Sequence, residues 1–124
     1  MNTKDPKLIA LQFNEYINEQ NITGLCSLMT DDHTFIDREG VTDKGKESMT
    51  KGWIEFIRNF PDYRNTFTRV ESRDNLVILI GYAYWSEENK YDPAIWTAKI
   101  ENDHVAEWRI YEDTAENRRK LGIK

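Results

Sequence analysis

"LVILIGYAYW", residues 76–85, is the stretch on which the fold turns. Its β-branched, aliphatic and aromatic side chains read as a strand. Apolar side chains occupy both odd and even positions, whereas a half-exposed antiparallel strand alternates. A strand apolar on both faces has to be covered on both. Upstream, "YRNTFTRVES" alternates and joins it through the turn "RDN". Downstream, the polar loop "SEENKYDP" leads to "AIWTAKIE", a turn at "ND", and "HVAEWRIYED". Residues 63–113 thus read as a meander of antiparallel strands.

Helices precede the meander. Residues 5–20 form one, with Asp5 as cap, Pro6 in the first turn and an apolar stripe of Ile9, Phe13, Tyr16 and Ile17. "NITGLCSLM" spaces Ile22, Leu25, Cys26 and Met29 for a second, short helix despite Gly24. A third covers 46–59, with Met49, Trp53, Phe56, Ile57 and Phe60 on one face, and stops at Pro61. Between the second and third helices lies "DDHTFIDREG", residues 31–40, in which "HTFID" reads as a short strand and "REGVTDKG" as a loop. "TAENRRKLG" is a short helix or a frayed tail. Helices followed by antiparallel strands indicate an α+β domain. Three helices cover one face of the sheet. A second copy of the chain is the simplest cover for the other, so a homodimer packed through its sheets is expected.

Composition narrows the function. With 124 residues the chain has room for one domain, residues 1–124, with a real core. The net charge of -5 and the lack of an Arg-rich run argue against nucleic acid as a partner. "RRK" at 118–120 is too short to change this and suits the C-terminal end of a helix. The lone Cys26 excludes an internal disulfide and reads as a small core residue. No stretch has signal-peptide character or could span a bilayer, so the expectation is a soluble cytoplasmic protein without membrane contact. No Gly-rich phosphate loop or nucleophile elbow occurs. Asp31, Asp32 and His33 fit no standard ligand spacing, so neither metal nor cofactor is expected. Four tryptophans point to an aromatic-lined cavity or a subunit interface, or else to large side chains filling the core.

Asp37 is the candidate with chemistry. It closes the pair Phe35-Ile36 and shares a strand face with Phe35. Either it lines a pocket or it caps the turn before Arg38-Glu39-Gly40 in water. In a pocket, aromatic neighbours disfavour a charged carboxylate, which suits it to take a proton from carbon next to a carbonyl. At the last hairpin, a three-residue loop places Trp96, Ala98, Ile100, Ala106, Trp108 and Ile110 on one face, with Thr97, Lys99, Glu107 and Arg109 on the other. A two-residue loop would mix the two sets. In residues 76–85, the small Gly81 and Ala83 would leave room for a ligand. That assigns them and Trp85 inward, and Tyr82 and Tyr84 to the dimer interface.

"LCSLMTDDHTFID", "GKESMTKGWIEFIRNFPDY" and "HVAEWRIYED" together resemble the nuclear transport factor two-like superfamily, most closely its SnoaL-like, polyketide cyclase-containing branch, over Leu8 to Asp113. The resemblance implies a cystatin-like roll: a cone-shaped, curved, mostly antiparallel sheet wrapped by three N-terminal helices around a cavity, commonly dimeric. It also implies a proton-shuttling role for Asp37, which falls where ketosteroid isomerase carries its aspartate. The positions of that enzyme's two oxyanion donors hold Phe13 and Trp96, so steroid isomerisation is not expected; Tyr16, one helical turn on, is the substitute donor. The acid of SnoaL-type cyclases has no clear match among Glu107, Glu112 and Asp113. Fold alone does not set the reaction. The expected function is binding of a small apolar organic molecule by Phe13, Phe35, Trp53, Phe56, Trp96, Trp108 and Ile110. Asp37 and Tyr16 are the catalytic candidates for a cofactor-independent isomerase, cyclase or lyase. The alternative is a non-catalytic ligand-binding or dimeric interaction module.

Overall fold

The computed structural model describes residues 1–124. Helix α1 spans Pro6–Asn18 and α2 spans Ile22–Leu28. Strands β1 (Met29–Ile36) and β2 (Thr42–Lys44) follow, then α3 (Lys46–Asn59). Strands β3 (Arg64–Arg73), β4 (Leu76–Tyr84), β5 (Asp92–Glu101) and β6 (His104–Glu112) form the meander, and α4 (Ala115–Lys120) ends it. The helix starts have local causes. Asp5 accepts from the Lys7 amide at 3.0 Å, with Pro6 in the first turn, and Asn21 accepts from the Gly24 amide at 2.9 Å. Gly45, at φ 106°, begins α3 and donates its amide to the His33 carbonyl at 2.7 Å, which ties that helix to β1.

The six strands form one sheet in the order β2-β1-β6-β5-β4-β3. All neighbours are antiparallel except β1 and β6, which run parallel. The parallel pair follows from the helices: α3 and the meander lie between β1 and β6, a connection long enough to bring the chain back in the same direction. Bulges in β1, β3 and β6 bend the sheet around the helices. Its concave face packs on α1, α2 and α3 through a core that includes Phe13, Leu25, Val77, Leu79, Trp96 and Trp108.

The last hairpin corrects the three-residue loop. Asn102 and Asp103, at φ 51° and 59°, form a two-residue turn, with Glu101 opposite His104 and Ile100 opposite Val105. One extra residue, Ala106, then shifts the register, so Lys99 pairs with Glu107 and Ala98 with Trp108. The bulge restores the separation of apolar from charged faces that the shorter turn alone would have lost.

On β4, Val77, Leu79 and Ala83 face the helices, as does Trp85 just beyond its end. The reason differs from a need for ligand space. Gly81 is closed off by the β3 backbone, and Ala83 is buried in the core. The outer face carries Ile78, Ile80 and Ile95, and the same chain covers them. After α4, Ile123 folds onto these three residues, with Leu121 beside it. Arg73 holds this segment by donating to the Leu121 and Gly122 carbonyls, the latter at 2.7 Å, and Arg118 reaches the Lys124 carbonyl at 2.6 Å. The outward tyrosines also have partners in the chain: Tyr91 packs at a tilt against Tyr82, and Arg64 lies over Tyr84. The second apolar face therefore does not require a second copy, and the argument for a sheet-packed homodimer loses its premise. No helix is long and apolar enough to cross a membrane.

Candidate functional site

Between α3 and the β1–β6 end of the sheet lies a cavity of about 460 Å³. Helix α3 supplies Met49, Gly52, Trp53 and Phe56, spaced so that one helical face looks inward. Phe35 comes from β1, Trp108 and Ile110 from β6, Tyr63 from the α3–β3 connection and Trp85 from just after β4. The rings brace one another edge to face: Trp53 with Phe35 and Phe56, and Trp85 with Phe56 and Tyr63. The polar lip is local in sequence: Asp37, Arg38 and Glu39 from the turn after β1, and Asp43 from β2.

Asp37 combines both readings of its role. Its Oδ1 accepts from the Glu39 amide at 2.9 Å and the Val41 amide at 3.0 Å, so it does cap the turn. It also sits on the cavity lip, with Oδ2 taking no protein hydrogen bond. Arg38 grips Asp92 with two bonds, at 2.7 and 3.2 Å, and reaches Glu112 at 3.3 Å. Asp92 also accepts from the Trp85 indole at 2.9 Å. One ion pair thus fixes a cavity wall, joining the β1 turn to β5 and to the end of β4.

Of the expected ligand contacts, Phe35, Trp53, Phe56, Trp108 and Ile110 line the cavity. Phe13 and Trp96 do not. Both are fully buried: Phe13 packs on Trp108 at 4.8 Å between ring centroids, and Trp96 on Phe67 at 5.1 Å. They form the packing beneath the wall. Tyr16 is also elsewhere, its ring lying against Gly24 of α2. The donor expected to face Asp37 is therefore absent from the cavity. Sequence reasoning missed Tyr63, Arg38, Glu39, Asp43 and Gly52. For Gly52 a signal existed, a glycine inside a helix and on its apolar face. For Tyr63 there was none beyond its place after Pro61-Asp62. Burial pushes the Tyr63 phenol up and keeps it a neutral hydroxyl; an Asn65 hydrogen bond and the Arg38 charge act weakly against this.

His33 turns inward while Asp31 and Asp32 remain exposed, so the three do not converge. Its Nδ1 lies 2.7 Å from the Val105 carbonyl. A carbonyl only accepts, so Nδ1 carries the proton and Nε2 is left without a protein partner. Burial lowers the His33 pKa below its ordinary 6.5, and the Val105 bond and the Asp32 charge oppose this only in part. Below about pH 6.5 the unfolded chain takes up a proton that the folded one refuses. Stability is then expected to fall with pH from there down to the folded value, at up to roughly 1.4 kcal/mol per unit. Urea midpoints between pH 7.5 and 5 check this. His33→Asn keeps a donor for Val105 and should flatten the profile; an unchanged slope would assign the acid sensitivity elsewhere.

The sequence profile described as SnoaL-like domain matches residues 10–115. No curated protein shows significant sequence similarity to the chain. Among solved structures, an uncharacterized cystatin fold protein from Novosphingobium aromaticivorans aligns with TM-score 0.76 and 16% identity, covering 86% of this chain and 97% of its own. A candidate SnoaL-like polyketide cyclase from Shewanella putrefaciens CN-32 gives 0.76 and 15%, covering 98% and 88%. TerC, co-crystallised with polyporic acid, gives 0.73 and 14%, covering 95% and 99%. At these identities the likeness is one of fold.

Proposed function

This chain belongs to the SnoaL-like domain family, and from that premise we propose that it binds a small, mostly apolar organic molecule in the cavity between α3 and the sheet. The observation that carries this is the cavity itself. Its volume, about 460 Å³, falls within the range of small-molecule sites, and its apolar body ends in a few polar groups. The co-crystal of TerC with polyporic acid supports a small organic ligand for this fold. The test is a panel of flat apolar compounds read by the indole N–H resonances of Trp53, Trp85 and Trp108. Saturable shifts are expected; their absence across the panel removes the reading.

A second reading, acid-base catalysis, is favoured by the unengaged Oδ2 of Asp37 on the lip. The residues at which the resemblance would set donors opposite Asp37 do not reach the cavity, since Tyr16 lies against Gly24 and Phe13 and Trp96 are buried. Asp37→Asn keeps an oxygen for the two turn amides, so fold and ligand binding should be unchanged. If Asp37 is a base, deuterium exchange next to the carbonyl of bound 2-tetralone drops by about 10²–10⁴ in the variant. Equal exchange by both proteins removes Asp37 from the chemistry.

A further inference from the structure

The cavity's polar end is unevenly charged, and this bears on the class of ligand. Three acids from the β1–β2 segment line it: Asp37, Glu39 and Asp43. Asp37 has one unengaged oxygen, and Asp43 spends one oxygen on the Ser48 hydroxyl at 2.8 Å. Arg38, the single cation on the wall, already holds Asp92 with two bonds and lies 3.3 Å from Glu112. Its positive charge is thereby met by two carboxylates. The Trp85 indole N–H is likewise taken by Asp92, and that of Trp53 is buried out of reach. A ligand carboxylate would meet like charges, which the neutral Tyr63 hydroxyl and Trp108 indole on the wall, though able to donate, do not offset. An ammonium group would meet free carboxylate oxygens, with aromatic side chains behind them whose ring faces attract cations.

Resting on the binding reading above, we propose that the ligand is an organic amine, with an aromatic or alicyclic body against the Trp53, Phe56, Trp85 and Trp108 wall and its ammonium at the Asp37–Glu39–Asp43 lip. Three probes sharing one naphthalene body test this: 1-naphthylmethylammonium, 1-naphthalenemethanol and 1-naphthoate, titrated at low ionic strength and read by the indole N–H shifts. The amine is expected to bind at least about tenfold tighter than the acid, with the alcohol between them, and added salt should narrow the gap. Glu39→Gln combined with Asp43→Asn should cut the gap to about threefold or less. Naphthoate binding as tightly as the amine, or a gap unmoved in the double variant, overturns the proposal while leaving the binding reading intact. If the neutral alcohol and both charged probes all fail to bind, the binding reading falls, and the amine with it.

Discussion

Gly81→Ala is expected to destabilise the protein by at least about 3 kcal/mol, the upper part of the range for single substitutions. A Cβ at this position would overlap the Thr66 carbonyl oxygen and lie 2.8 Å from the Phe67 Cα and 2.9 Å from the Thr66 carbonyl carbon. All three atoms are backbone, so no rotamer change relieves the clash. Relief would require β3 to move away from β4, and β3 is anchored. Its register shifts between Phe67 and Arg69 next to the contact, and Asn18 of α1 bonds the Asn65 amide at 2.8 Å and the Asn65 carbonyl at 2.9 Å. Asn14 reaches the Asn65 side chain at 3.1 Å from the same helix. Ala83, two residues on and fully buried, provides the comparison. Ala83→Gly only removes a methyl and adds chain freedom, with a cost of about 1 kcal/mol. Urea denaturation of the two variants would show the asymmetry. A Gly81→Ala midpoint near wild type would mean that the strands are not this close.

Most of the fold was legible because long elements repeat their pattern. The stripe of Met49, Trp53 and Phe56 closed by Pro61 located α3, and the alternation of residues 63–72 located β3 to within a residue. β2 was not legible. Its three residues, Thr42 to Lys44, are all exposed and have no apolar period; pairing with the end of β1 alone makes them a strand. The cover of the outer face was also hidden. Ile123 is one apolar residue in a polar tail, and only the path of α4 brings it onto Ile78, Ile80 and Ile95.

The cavity was legible in part for a similar reason. Rings on a helical or strand face could be placed on the inner side, which found Trp53, Phe56 and Trp108. Depth along the cone has no sequence signal, so Trp96 and Phe13 share the inward side and still lie beneath the wall. Tyr16 followed a helical stripe toward α2, where Gly24 leaves space for its ring. Asp37 was ambiguous because its two oxygens do different things, one fastening the turn and the other left on the lip.

Gly52→Phe is expected to weaken binding of 1-naphthalenemethanol by about a hundredfold, roughly 2.7 kcal/mol, without loss of stability. Gly52 sits inside α3 with ordinary helical backbone, and a Cβ there finds nothing nearer than the Met49 Cε at 4.0 Å. The open space it faces is the cavity. A phenyl ring at this position would take the place of the ligand body against Trp53 and Phe56. Glycine is also the weakest ordinary residue in a helix interior, so Gly52→Ala should gain about 0.5–1 kcal/mol and Phe a few tenths. The two observables then move apart: the urea midpoint holds or rises while affinity collapses. A cavity that merely resulted from loose packing would behave differently, since filling it would leave ligand binding elsewhere untouched. Retained affinity in a well-folded Gly52→Phe variant would therefore place the ligand outside this cavity. Loss in Gly52→Phe with binding kept in Gly52→Ala would locate it in this cavity, beside α3.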